Sequence, residues 1–278
     1  MSDYLPISLE NVVSRIITKV IVNWLKIILP NVISDAQSAF TPNRLITNNT
    51  TVVFEVIHKM LNKRRGKKGK MVVKLDISKV YDWVEWAFFW KVMPKLGLDE
   101  KWVQLAMETV CTTTYLVLIN GEPKGFVTPT TDVKQGDPLS PYLFLFCAQG
   151  LSTMLWKVEE ARHLQGVLSN NGGVHLSHLL FANDSLIFCQ ATLEECPLLL
   201  AILEQYEATS RQAINRQKTS LFFSRNTRTY VKHNIRNIMV ARIVEDCEKY
   251  LVLLMANGKS KVNKFKDLQE KIARRVMG

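Results

Sequence analysis

The stretch Met71-Val-Val-Lys-Leu-Asp76 is a short apolar run that ends in an acid. Its length and β-branched content predict a strand whose tip carries Asp76. More than a hundred residues later the chain repeats an extended pattern over residues 176–189. Leu-Leu-Phe-Ala is followed by Asn183-Asp184 and then by Ser-Leu-Ile-Phe, which predicts a hairpin with Asp184 in its turn. Leu221-Phe-Phe-Ser is a third extended run. Helical periodicity fills the spaces between them. Strands of mixed order with interspersed helices define an α+β fold.

Working outward, Val13, Ile16, Ile17, Val20, Ile21, Leu25 and Ile28 keep helical spacing within residues 8–29, with Ser8 as cap and Pro30 as stop. Residues 50–61 predict a second helix, opened by a Thr-Asn-Asn-Thr cluster, and residues 62–70 a charged loop. Further helices are expected over residues 83–96, 100–111, 142–160 and 193–209. Asn120-Gly121 joins two extended runs as a hairpin turn. Gln135-Gly-Asp-Pro-Leu-Ser-Pro141 is a turn-rich loop.

The 278 residues and 47% hydrophobic content suffice for a substantial core, and exclude a disordered polycation. No apolar run approaches the ~20 residues of a membrane span. The N-terminus lacks a signal peptide pattern. Five cysteines without a C-x-x-C pair exclude a zinc or disulfide framework and predict reduced thiols. An intracellular protein, nuclear or cytoplasmic, is expected.

The net charge of +11 is uneven. Residues 63–74 carry seven basic groups and no acid, residues 211–242 carry eight and no acid, and residues 259–275 net +5. These stretches total +20, so the remainder nets −9. Cationic stretches on an acidic body are a footprint for a polyanion, nucleic acid above all. Ordinary solvated faces are the blander account of any one stretch.

Asp76 at the end of a strand and Asp184 in the turn of a hairpin would form an oxygen site suited to Mg²⁺. Such a site supports phosphoryl transfer. Taken alone, each acid is equally well a cap or a turn residue.

The flanking words narrow the choice. Lys74-Leu-Asp-Ile-Ser-Lys-Val-Tyr-Asp82, Gln135-Gly-Asp-Pro-Leu-Ser-Pro-Tyr-Leu-Phe144 and His178-Leu-Leu-Phe-Ala-Asn-Asp-Ser185 occur in this order. With Pro6-Ile-Ser-Leu, Gln37-Ser-Ala-Phe-Thr-Pro-Asn-Arg44, Leu118-Ile-Asn-Gly-Glu-Pro123, Ile214-Asn215 with Lys218, and Lys249-Tyr-Leu251, the set covers nearly the whole chain. It resembles the reverse transcriptase domain of non-LTR (LINE-type) retrotransposons, most closely plant elements.

The resemblance implies a right-hand polymerase that adds dNTPs to a DNA primer on an RNA template. Residues 1–72 would form a fingers-like part and residues 73–248 the palm with inserted elements. Residues 249–278 would form the primer grip and the start of a truncated thumb. Asp76 and Asp184 would hold Mg²⁺ or Mn²⁺, with Asn183 a poor third ligand. Tyr81 would pack beneath the incoming sugar, and Ile77, Gln135 and Gly136 would lie against nucleotide and template. Arg44 and the 63–74 stretch would face triphosphate or template from the fingers. Lys218 would serve as general acid for the leaving pyrophosphate, and Lys249, Tyr250 and Leu251 would begin the primer grip. Endonuclease and RNase H-like domains are not expected within this chain.

The pattern also departs from the family. The hairpin word is Phe-Ala-Asp-Asp in the family, but Phe181-Ala-Asn-Asp184 here, so a principal metal ligand is an amide. Asn offers a neutral carbonyl and no charge, which lowers affinity for hard cations. Val80 replaces Ala, Asn43 replaces Gly, Val252 and Met255 replace Gly and Pro, and Asp132-Val133 stand where Gly-Leu is usual. Impaired catalysis is therefore expected, with a non-catalytic nucleic-acid-binding relic as the rival. His175 and His178 are expected as turn and surface residues. Trp83, Trp86 and Trp90 are expected as core. Ser152 and Ser185 show no His/Asp partners for a nucleophilic triad.

Overall fold

A computed structural model describes residues 11–66, 68–78, 85–120, 122–129, 136–168, 175–244, 249–250 and 253–254. In chain order the elements are α1 (Val12–Val32), α2 (Ile46–Asn62), β1 (Gly69–Ser78), α3 (Trp86–Lys95), α4 (Glu100–Cys111), β2 (Tyr115–Ile119), β3 (Glu122–Val127) and α5 (Ser140–Glu160). They continue with β4 (Val167–Leu168), β5 (His175–Leu176), β6 (His178–Phe181), β7 (Asp184–Ala191), α6 (Glu195–Ser210), β8 (Ala213–Ile214), β9 (Ser220–Phe223), α7 (Thr229–Met239), β10 (Arg242–Ile243), β11 (Lys249–Tyr250) and β12 (Leu253–Leu254). The mixture of helix and sheet is the α+β class expected.

The strand read from Met71 to Asp76 is the centre of the molecule. β1 pairs antiparallel with β7 on one side and with β9 on the other, giving the order β10-β9-β1-β7-β6, while β8 pairs with the end of β1. Both faces of this sheet are covered, so its strands are near-continuous apolar runs rather than alternating ones. Met71, Val73, Leu75, Ile187, Cys189, Leu221 and Phe223 pack with α5, α6 and α7. Val72, Leu186, Phe188 and Phe222 pack with α2. Each fully buried Leu, Ile or Phe stabilises this arrangement by about 1.5–3 kcal/mol. A third cluster joins α1, α3, α4 and the first half of α5 to Ile77 and Leu180. α5 therefore contacts two cores, which is why residues 142–148 are apolar on every side.

Several boundaries differ from expectation. α1 is capped by Asn11, whose side chain accepts from the Ser14 amide at 2.7 Å, and Pro30 lies inside its last turn. Ser8 lies outside the described residues. α2 begins at Ile46, because Thr50 and Thr51 donate to carbonyls one turn back instead of opening the helix. β1 begins at Gly69 and so runs across the expected division after residue 72. α7, β4, β8 and β10 were not expected. The basic stretch 211–242 hid α7, whose buried residues are Ile235 and Met239 alone, with Val231 and Ile238 packed partly against the core. Trp86 is half-buried against the core, but Trp90 is exposed, and Phe89 and Met93 fill the core instead. Trp83 lies outside the described residues.

Candidate active site

The β1–β7 ladder runs from Gly69↔Ala191 to Asp76↔Asp184. The two acids are therefore direct partners across neighbouring strands. Asp184 opens β7 rather than sitting in the turn, which consists of Ala182 and Asn183 between Phe181 and Asp184. The left-handed residue of that turn is Ala182, with φ +49°. Asn183, exposed at the tip, thus leaves the positive-φ position that Asn tolerates well to its neighbour.

Each acid has a lysine. Lys74 lies two residues before Asp76 on the same face of β1, and its Nζ is 3.6 Å from Asp184 Oδ1. Lys218 Nζ is 3.9 Å from Asp76 Oδ2. Both acids are 31% exposed, Lys74 is 30% exposed and Lys218 70%. Lys218 is carried by a turn fixed to β1: the Asn215 amide donates to the Asp76 carbonyl at 2.8 Å, and Asn215 Oδ1 accepts from the Lys218 amide. Arg216 in the same turn pairs with Glu207 of α6 at 2.6 Å.

The hairpin is held from outside the sheet. β6 is an edge strand, and residues 36–38 cover that edge: the Leu180 amide donates to the Ala36 carbonyl and the Ser38 amide to the Leu180 carbonyl. Gln37 is 1% exposed, and its Oε1 accepts from the Ala39 and Ala182 amides. Asn49 of α2 donates to the Leu180 carbonyl and accepts from the Ser38 hydroxyl. Sequence reasoning assigned no role to Gln37, and placed Lys74 only within the 63–74 stretch expected to face triphosphate or template. The two-residue spacing from Asp76 was the signal for Lys74.

Other expected site residues fall elsewhere. Arg44 does not face an open site. Its guanidinium donates to the carbonyls of Pro30, Ile33, Ser34 and Gln37 and pairs with Asp35 at 3.0 Å, so it caps the end of α1. Asn43 before it has φ +64°, a conformation that favours the Gly usual there and that Asn is next best at adopting. Ile77 directs its side chain into the core, and its backbone pairs with Ile214. Gly136 has φ +104° and precedes Asp137, whose carboxylate accepts from the Leu139 amide at 2.6 Å where α5 begins. Lys249 and Tyr250 form β11, paired antiparallel with β12. Tyr81, Gln135, Leu251, Val80, Asp132, Val133, Val252 and Met255 lie outside the described residues, as does the 259–275 stretch.

His178 is buried, not a surface residue. Its Nε2 lies 2.7 Å from the Ser152 hydroxyl and its Nδ1 2.9 Å from that of Ser177, and burial pushes its pKa down to about 4. Ser152 therefore has a histidine partner after all. It stands in mid-helix, where the backbone amides are consumed by α5, so no pair of free donors is left to stabilise an oxyanion. The trio is a polar strut between α5 and β6. His175 is exposed. Cys111, Cys147, Cys189 and Cys196 are free thiols, and burial raises the pKa of each. Among the described residues no helix is long and apolar enough to cross a membrane.

Asp76 and Asp184 present carboxylate oxygens at one end of a partly open face, donors of the kind a hard divalent cation takes. Among the described residues no group of three or more His, Cys, Asp or Glu gathers at one point.

Residues 1–251 match the family described as Reverse transcriptase (RNA-dependent DNA polymerase), and the chain belongs to that family. Its sheet and flanking helices are those of the right-hand fold. Proteins of transposable elements are among its relatives. The chain is 30% identical over 158 residues to the Retrovirus-related Pol polyprotein from type-1 retrotransposable element R2 of Popillia japonica, covering 56% of this chain and 25% of that protein. It is 24% identical over 225 residues to the Transposon TX1 uncharacterized 149 kDa protein of Xenopus laevis, covering 79% and 16%. It is also 45% identical over 76 residues to an uncharacterized mitochondrial protein of Arabidopsis thaliana, covering 27% and 62%. The chain therefore spans less than two thirds of each of these relatives. A solved telomerase from Candida tropicalis aligns over 76% of this chain and 33% of its own, with 12% identity and TM-score 0.49.

Proposed function

We propose that this domain descends from an RNA-directed DNA polymerase and retains the nucleic-acid-binding half of that activity, with nucleotidyl transfer impaired at Asn183. The observation that carries the reading is the direct pairing of Asp76 with Asp184 beside a turn whose exposed tip is an amide. In the intact reaction a primer 3′-hydroxyl attacks the α-phosphate of a dNTP and pyrophosphate leaves. Asp76 and Asp184 would hold Mg²⁺ or Mn²⁺, which supplies charge neutralisation at the phosphoryl oxygens. With Asn183, the ligand set has one negative charge fewer, so divalent affinity falls.

The remaining roles follow the same reading. Lys218, exposed and tethered beside Asp76, is suited to donate a proton to the leaving pyrophosphate. Tyr81 serves the sugar, and Gln135 and Gly136 serve the nucleotide and template, Gly136 with a left-handed backbone. Lys249, Tyr250 and Leu251 begin the primer grip. Arg44 and Ile77 act as supports for the fingers and palm rather than as direct contacts. Residues 1–72 form the fingers-like part, residues 73–248 the palm with inserted elements, and residues 249–278 the grip and thumb start.

The partners are an RNA template, a DNA primer and dNTPs. The rival, a pure binding relic, is favoured by the same Asn183. Primer extension separates them: synthesis that appears on Asn183→Asp supports an impaired polymerase, and none in either chain supports the relic.

A further inference from the structure

Lys74 and Lys218 do more than balance the two acids, because they occupy different kinds of position. Lys218 is 70% exposed on a turn and can swing away from Asp76. Lys74 is 30% exposed on β1, with its Cα opposite Leu186 on one neighbouring strand and Ser220 on the other. Its stem is fixed by the ladder, and its ammonium is presented to Asp184 from the same face as Asp76.

The charges cancel. Asp76 and Asp184 carry −2, and Lys74 and Lys218 carry +2. A third carboxylate at position 183 would leave a surplus of −1, but Asn183 removes it. A divalent cation approaching Asp184 meets a resident ammonium whose attraction it must overcome and whose repulsion it then feels. Carboxylates gain little from a hard cation when a neighbouring cation already satisfies them.

We propose that Lys74 is a tethered competitor for the divalent cation, and that it, together with Asn183, sets how weakly the Asp76–Asp184 pair binds metal. This rests on the reading of those two acids as the metal site. Lys74 acts through Asp184, so it is a positioning residue that tunes affinity, not a catalytic residue. A merely structural ion pair makes the opposite prediction, since its removal would loosen the hairpin and leave metal binding unchanged or weaker.

The experiment titrates the full chain with Mn²⁺ and follows the electron paramagnetic resonance signal of the free ion. Lys74→Gln is expected to lower the Mn²⁺ dissociation constant by about tenfold, the scale of losing one close charge partner. Lys74→Arg, which keeps the cation, is expected to stay near wild type. Adding Asp76→Asn and Asp184→Asn to Lys74→Gln is expected to abolish the gain. The Mn²⁺-induced rise in melting temperature gives a second measure, and Lys74→Met replaces Lys74→Gln should the latter not fold. Binding by Lys74→Gln no tighter than wild type, yet still dependent on the two acids, overturns the competitor and leaves the metal site standing. Tighter binding that persists without both acids overturns the metal site, and the competitor with it.

Discussion

Asp76 and Asp184 are register partners at the last pair of the β1–β7 ladder, and each faces a lysine within 4 Å. The residue beside them, Asn183, lies at the exposed tip of the turn that ends β6. The two acids are thus aligned at one end of the sheet with a neutral amide next to them in the chain.

Gln37 fixes that turn from a neighbouring segment, since its buried Oε1 accepts from both Ala39 and Ala182. Gln37→Leu leaves two amides without their acceptor and should cost about 1–3 kcal/mol. Urea denaturation reads this as a lower midpoint at unchanged slope. An unaltered midpoint would show that the turn stands without Gln37.

Arg44 holds the Pro30 carbonyl in the last turn of α1 and the Ile33, Ser34 and Gln37 carbonyls just beyond it through a planar fork that lysine cannot reproduce. Arg44→Lys should lower stability by about 1–2 kcal/mol in the absence of any nucleotide. A stability unchanged from wild type, measured by thermal melting, would return Arg44 to the substrate side.

His178 gives stability a pH dependence. Its pKa is about 4 in the folded chain because burial disfavours the imidazolium, against about 6.5 unfolded. Below pH 6.5 the unfolded chain takes up a proton that the folded chain refuses, so stability is full above 6.5 and falls as pH drops toward 4. Between pH 7 and pH 4.5 wild type should lose about 2 kcal/mol more than His178→Asn. Parallel losses in the two proteins would contradict the buried neutral imidazole.

Much of this was legible because it rests on local chemistry. The apolar run ending at Asp76 had to be a strand, and Asn120-Gly121 had to turn. The residues that position the site were less legible, for physical reasons. Arg44 looked like a free cation, but its partners are carbonyls, which leave no trace in a sequence. Gln37 is a polar residue made useful only by a strand far along the chain. α7 was masked by its charge, because only Ile235 and Met239 are fully buried along it. The turn was displaced by one residue because Asn normally takes the left-handed position that Ala182 occupies here.

In the proposed function, binding to nucleic acid rests on the basic stretches 63–74, 211–242 and 259–275, of which Asn183 is no part. Affinity for an RNA–DNA hybrid should be equal in wild type and Asn183→Asp without metal, and should fall steeply as salt rises. Filter binding that is insensitive to salt would remove nucleic acid as the partner.

The most direct measurement of the central claim is primer extension on poly(rA)/oligo(dT) with Mg²⁺ or Mn²⁺, comparing wild type with Asn183→Asp. The account predicts weak or absent synthesis by wild type, stronger in Mn²⁺ than in Mg²⁺, and a gain on restoring the carboxylate. Full wild-type synthesis in Mg²⁺ that Asn183→Asp leaves unchanged would contradict it.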